Sequence, residues 1–169
     1  MGLFRRRREP RRRFRMQQKL IAIGNDYWIE DDDGHRVYKV NGKVARARET
    51  FKLEDMSGHT VAKIQEKKMS IRDKIKIELD GGSATVKKAL VGIRDRFEID
   101  VEDGHDLQAH GNIVDHEYKI ERKGDVIAEV SKRWFRVRDT YGIEVFDENA
   151  TVLLLSITVA IDELANDLL

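Results

Sequence analysis

The stretch Thr151-Val152-Leu153-Leu154-Leu155-Ser156-Ile157-Thr158-Val159-Ala160-Ile161 poses the problem that the rest of the chain has to solve. Only Thr151, Ser156 and Thr158 interrupt it, and they do not gather into a polar face at helical spacing. A helix that is apolar all round must be surrounded by protein or lipid. Crossing a bilayer takes about 20 apolar residues, and this run is roughly half that length. The expectation is therefore a helix over residues 149–165, wrapped by everything that precedes it. Its β-branched residues favour a strand instead, and Asp162 and Glu163 stand at the end of a helix where acids are unfavourable. Against that, the run does not alternate, and Asp147, Glu148 and Asn149 supply acids and an N-cap at its start.

The material for the wrapping is a repeat. The segments Ile64–Ile77, Val86–Ile99 and Val130–Ile143 align without gaps, each with an Arg-Asp pair at the same place: Arg72-Asp73, Arg94-Asp95 and Arg138-Asp139. Weaker copies lie at Arg48–Leu53 and Asn112–Ile120. Turn signals recur between them, at Asp33-Gly34, Ser57-Gly58, Asp80-Gly81-Gly82, Asp103-Gly104, Lys123-Gly124-Asp125 and Asp147-Glu148-Asn149. Glycine-containing pairs between alternating runs mark hairpins. After the Arg-Asp pairs the chain alternates: Ile75, Ile77 and Leu79 fall on one face, as do Phe97, Ile99 and Val101, and again Tyr141, Ile143 and Val145. Such alternation reads as half-buried antiparallel strand.

Strands are expected over 16–23, 26–31, 35–40, 47–54, 60–66, 72–79, 83–88, 95–102, 105–111, 115–122, 125–131 and 139–146. Twelve strands in an open sheet leave long edges, so the sheet should close. A closed barrel of that size is wider than side chains alone can fill, the limit being about eight strands. A helix about 10 Å across fills the hole. The fold expected is a mainly β, closed, roughly 12-stranded antiparallel barrel of hairpin repeats enclosing a C-terminal hydrophobic helix.

Charge divides the chain differently. Its net charge is +1, yet Arg5, Arg6, Arg7, Arg8, Arg11, Arg12, Arg13, Arg15 and Lys19 face only Glu9 within the first 19 residues. Like-charge blocks are usually disordered interaction tails. Residues 1–13 are accordingly expected to be a basic arm, and residues 14–169 a single barrel domain. There is no cysteine, which excludes disulfides and thiolate metal sites. No apolar segment of signal-peptide type follows the basic start, so the expected location is cytoplasmic, peripheral to a membrane.

The motifs Met16-Gln-Gln-Lys-Leu, Tyr27-Trp28-Ile-Glu-Asp, Lys-Met-Ser-Ile-Arg72-Asp73, Gly111-Asn112-Ile113, Ser131-Lys-Arg-Trp134-Phe135 and Leu-Leu-Leu-Ser-Ile-Thr-Val-Ala-Ile-Asp162 occur in this order. Together they resemble the LURP-one-related proteins, relatives of the tubby C-terminal domain and the phospholipid scramblases, over residues 14–167. The resemblance implies a tubby-like twelve-stranded barrel around a C-terminal helix. It implies no settled activity. Tubby domains bind phosphoinositides, and scramblases add calcium sites and palmitoylated cysteines, which this chain lacks. No lipid-binding residue is carried over.

Turns and connectors alternate along the chain, so they belong to opposite rims of a barrel. The turn rim collects acids such as Asp31, Asp33, Asp55, Asp80 and Asp103, whereas the connector rim collects bases. The anion-binding candidates are Lys67, Lys68, Arg72, Lys87, Lys88, Arg94, Lys132, Arg133, Arg136 and Arg138 on that rim, with Arg5, Arg6, Arg7, Arg8, Arg11, Arg12 and Arg13 in the arm. Opposite signs at the two ends create a field able to hold an anion; the alternative is a solvated rim of local ion pairs. Arg72 and Arg94 can pair with acids on neighbouring repeats, a ladder that fixes register. Trp134 and Phe135, set among Lys132, Arg133 and Arg136, can stack on bases, sit at a lipid interface, or close the barrel end over the helix.

His35, His59 and His105 follow turn glycines but are spread around a wide rim, whereas metal ligands must converge to about 2 Å from one ion. No nucleophile with an evident base, phosphate loop or His-x-x-x-His pair is present, so neither an enzyme nor a cofactor is expected. The leading expectation is a non-catalytic barrel that binds anionic phospholipid headgroups or acts as a scaffold. The alternatives are a nucleic-acid partner held by the arm, and a protein-binding module without a defined ligand.

Overall fold

The computed structural model describes residues 12–17, 26–42, 50–67, 74–89, 96–135 and 140–166. Twelve strands precede one helix: β1 Arg12–Gln17, β2 Tyr27–Asp31, β3 Arg36–Asn41, β4 Thr50–Asp55, β5 Thr60–Lys67, β6 Lys74–Leu79, β7 Gly82–Lys88, β8 Arg96–Val101, β9 Leu107–Asn112, β10 Glu117–Arg122, β11 Asp125–Ser131 and β12 Thr140–Val145. A single 3-10 turn, Glu148–Ala150, leads into α1, Thr151–Asn166. Each strand pairs with its neighbours in sequence, and β1 closes the ring against β12, from Arg12 opposite Val145 to Gln17 opposite Thr140. No edge is left unpaired, which removes the usual route to edge-to-edge aggregation.

The strand alternation points one set of side chains inward. Phe14, Met16, Ile29, Leu53, Ile64, Ile77, Ile99, Ile120 and Ile143 are all fully buried. Against them runs α1, whose Leu154, Leu155, Ile157, Ala160 and Ile161 are fully buried too. The helix packs on β5, β6, β7 and β12. Its interior hydroxyls do not need outside partners. Ser156 donates to the Val152 carbonyl at 2.7 Å, and Thr158 to the Leu154 carbonyl at 2.9 Å. At the entry, the Asp147 carboxylate accepts the Asn149 N–H at 3.2 Å. Enclosure outweighs the β-branched propensity of the run, because a strand would leave half of its apolar side chains outside the ring.

The first strand departs from expectation. It covers Arg12–Gln17 rather than 16–23, and residues 18–25 lie outside those described. Arg12 and Arg13 therefore belong to the barrel and not to the arm. The run Arg12-Arg13-Phe14-Arg15-Met16 is itself a period-two pattern with Phe14 and Met16 inward, hidden among arginines. The remaining strands begin and end within three residues of the expected bounds.

Topology then assigns each loop to an end. The turns after β2, β4, β6, β8, β10 and β12 lie at one end, here the turn end; the links after β1, β3, β5, β7, β9 and β11 lie at the other, the connector end. Six-residue strands separate the two by about 20 Å. Helix α1 enters from the turn end and finishes at the connector end. Among the described residues no helix is long and apolar enough to cross a membrane.

Candidate functional site

Counted on the sequence between consecutive strands, the six links at the connector end hold eleven basic and six acidic residues. The six turns hold seven acidic residues and one basic one, Lys123. By sequence, the links and the turns thus differ in sign, with Lys132 and Arg133 the basic link residues among those described.

At the connector end the described candidates are Lys67, Lys87, Lys88, Lys132 and Arg133. Lys87 is committed to Asp100, at 2.8 Å, and lies 3.9 Å from Glu98. Lys67 donates to the Gln65 side chain at 3.2 Å, and Lys88 is half-buried. Glu117 organises the start of the last link: its carboxylate accepts from the Ser131 hydroxyl at 2.9 Å and from the Lys132 N–H at 3.0 Å. Arg133 Nε lies 3.7 Å from the same carboxylate, with 83% of its side chain exposed. Arg5, Arg6, Arg7, Arg8, Arg11, Lys68, Arg72, Arg94, Arg136 and Arg138 lie outside the described residues, and so does the Arg-Asp ladder.

Arg12 and Arg13 do not join that group. They sit at the start of β1, at the turn end, where Arg12 lies 4.9 Å from the Phe14 ring and Arg13 donates to Glu144 at 2.9 Å. Trp134 and Phe135 do not close the barrel over the helix. They fold back onto the outside of β12 and lie over Gly142: a Cβ there would meet the Trp134 and Phe135 rings, each at 2.7 Å. Arg13 and Arg15 flank these rings at 5.1 and 5.8 Å. The cover explains why all six residues of β12 are buried on both faces.

The acidic turns are structurally employed. Asp31 accepts the N–H groups of Asp33 at 3.0 Å and His35 at 2.9 Å, and Asp55 accepts the Ser57 hydroxyl at 2.6 Å and the His59 N–H at 3.0 Å. Those bonds, the His35 N–H first for Asp31 and the Ser57 hydroxyl first for Asp55, hold both carboxyls below the ordinary value. Asp31, Asp33 and His35 offer ligand atoms within 4.8 Å of one another, Asp31 half-buried and the other two exposed. His59 belongs to another turn, so the histidines do not converge.

Two features escaped the sequence reading. One is a polar cluster inside the connector end. Asp162, near the end of α1, accepts from the Tyr141 hydroxyl and lies 3.0 Å from His116 Nε2. The His116 and Tyr141 rings are 4.3 Å apart, and His116 has φ 53°. Burial, and then the Asp162 charge, push the phenols of Tyr27, Tyr118 and Tyr141 well above their ordinary value. The cluster satisfies a carboxylate that the helix carries at its unfavourable end. It draws on four elements and the β9–β10 turn, so only the odd Asp162 closing an apolar run signalled it.

The other is an uneven outer wall. Outward positions of β3 to β6 carry Lys39, Lys52, Lys63 and Lys76, with Lys52 directly opposite Lys63, and also Glu54 opposite Lys39 and Glu78 opposite Lys63. Lys39 is paired with Asp26 at 3.0 Å, and Lys76 lies 3.7 Å from Glu78. Outward positions of β8 to β10 carry Glu98, Asp100, Glu117 and Glu121 beside Arg96, His110 and Lys119. The first wall has a net excess of lysines and the second a net excess of carboxylates.

Comparison with known proteins follows the same lines. The family model for LURP-one-related proteins matches residues 12–162. An X-ray structure of a protein from Arabidopsis thaliana superposes with a TM-score of 0.61, at 15% identity, over 90% of this chain and 93% of that one. No curated protein matches the chain.

Proposed function

The chain belongs to the LURP-one-related family, and from that premise we propose that it is a non-catalytic barrel whose connector end binds anionic phospholipid headgroups. The difference in sign between the links and the turns carries this reading: the barrel's own loops favour an anionic plane at the connector end, the arginine-rich segment before β1 aside. Exposed Arg133 and the neighbouring Lys132 stand there, while the Trp134 and Phe135 rings are folded back along the wall of β12. Val114, 46% exposed in the β9–β10 turn, adds an apolar contact at the same end. Each Lys or Arg held near an anionic leaflet contributes about 1 kcal/mol, so several together give a reversible, salt-sensitive association. With α1 filling the barrel, the reading needs no interior ligand.

Vesicle flotation tests it. The chain should float with vesicles containing phosphatidylserine, remain behind with phosphatidylcholine alone, and lose the interaction as salt rises. Replacing Lys132 and Arg133 together by glutamate should weaken it about tenfold or more. Equal flotation with both kinds of vesicle, or with neither, would refute the reading.

A further inference from the structure

We propose that the arginine-rich segment 1–11 docks in cis on an acidic groove in the outer wall of β8, β9 and β10, where it is held away from anionic partners. The inference rests on the headgroup reading only for its consequence; the docking itself stands on the barrel alone. The groove encloses about 530 Å³. Glu98, Asp100, Asp106 and Glu121 line it, with His105 and Lys123 at its turn-end margin. Lys87 partly offsets Asp100 and Glu98, His110 lies 3.0 Å from Glu121, and Asp106 accepts the Val101 N–H at 3.0 Å. Even so, 43% of the Glu98 side chain and 52% of that of Asp100 remain exposed. Four carboxylates face two lysines.

Topology decides where the segment starts. Arg12 opens β1 opposite Val145, at the turn end, and the groove also reaches the turn end through His105, Asp106 and Gly124. Going round the barrel from β1, strands β12 and β11 intervene before β10 and then β9. At about 4.8 Å per strand, β10 lies roughly 14 Å away along the wall and β9 roughly 19 Å. An extended chain advances about 3.3 Å per residue, which puts Arg8 roughly 13 Å and Arg5 roughly 23 Å from Arg12. The four consecutive arginines, Arg5 to Arg8, therefore span the distance at which the carboxylates stand. The guanidinium fork suits those carboxylates.

The opposite direction is closed by charge. Going the other way from β1, the segment would meet Lys39, Lys52, Lys63 and Lys76 on the walls of β3 to β6, which Asp26, Glu54 and Glu78 offset only in part. Like charges oppose it there. Two walls of opposite sign, flanking one point of attachment, give the docking its direction. The tether raises the effective concentration of the segment at the groove to the millimolar range, so modest pairwise attractions suffice.

A nitroxide placed by Leu3→Cys gives a direct test, because the full chain has no native cysteine. At low salt the label should broaden the amide signals of Gln108, Glu121 and Gly124 and spare those of Lys52 and Lys63. At 1 M salt, where the screening length is about 3 Å, the broadening should vanish. It should also vanish in the triple variant E98Q/D100N/E121Q, whose surface changes leave Tm unaltered. Equal broadening on both walls, or broadening that survives in the triple variant, would overturn the docking. In flotation with phosphatidylserine vesicles, the triple variant should bind about tenfold better than the unaltered chain, one or two freed arginines sufficing. Equal binding of the two overturns the masking role. If neither floats, the headgroup reading has failed, and the nitroxide result still decides the docking.

Discussion

The two ends of this barrel solve the same problem, reversing a strand, by different means. At the turn end the β2–β3 and β4–β5 reversals are short, exposed and self-contained, and Asp31 or Asp55 satisfies the N–H groups of its own loop. At the connector end the links are mostly longer, and the visible anchors are long-range. Asp162 of the helix is tied to His116 of the β9–β10 turn and Tyr141 of β12, and Glu117 holds Ser131 and Lys132. Stability that is local at one end is collective at the other. A surface that has to meet a partner is better placed at the collective end, where the β9–β10 turn and the start of the last link are tied to distant residues. The difference predicts where substitutions hurt most.

The largest effect is expected at Asp162. Asp162→Ala leaves His116 and Tyr141 facing each other without their shared acceptor, and breaking a buried pair typically costs about 3–5 kcal/mol. Urea midpoints should fall accordingly, whereas Asp55→Ala at the turn end should barely move them. A small loss at Asp162 would erase the contrast between the ends.

The phenols sharpen the same contrast through pH. Tyr27, Tyr118 and Tyr141 have folded values raised above the ordinary value of 10.0, so the unfolded chain releases protons first as pH rises. Their contribution is fully present below about pH 10 and is lost above it, with a slope approaching 1.4 kcal/mol per pH unit for each phenol. Stability measured from pH 8 to 12 should be flat and then drop. Tyr141→Phe should make the drop shallower.

A smaller effect, about 1–3 kcal/mol by overpacking, is expected for Gly142→Ala, whose new methyl collides with both the Trp134 and Phe135 rings. Red-shifted, more quenchable tryptophan emission would mark the cover lifting from β12. The smallest is Gly58→Ala, where φ is +85° and nothing lies within 4 Å of the added carbon. Only backbone strain of about 1–2 kcal/mol opposes it, without disturbing the connector end. Thermal melts of the two glycine variants rank them.

How much of this was legible depends on how far apart the determinants lie. Hairpins with glycine turns and period-two runs such as Ile75 to Leu79 are written in a few adjacent residues, and so is the all-apolar stretch that must be enclosed. The barrel and its helix follow from those. The start of β1 was obscured because Arg12, Arg13 and Arg15 read as part of a charge block, although Phe14 and Met16 carry the inward pattern. The cluster at Asp162 draws on Tyr27, His116, Tyr118 and Tyr141, scattered over the whole chain, and no local pattern joins them. Trp134 and Phe135 were visible as an aromatic pair among cations, but their seat on Gly142 depends on a fold-back that only the assembled sheet defines. The attachment of the basic segment at the acidic end was latent in the strand count: β1 precedes a connector, so it must begin at the turn end.

The claim on which the functional account turns is that only the connector end meets an anionic membrane. Met56 and Val114 are exposed large hydrophobic residues at opposite ends, 56% and 46% exposed. Each can be replaced by cysteine and labelled with an environment-sensitive fluorophore in the otherwise cysteine-free chain. On adding phosphatidylserine vesicles, the label at Val114→Cys should shift to the blue and become shielded from aqueous quencher, while the label at Met56→Cys stays unchanged. The same shift at both positions, or at Met56→Cys alone, contradicts the account.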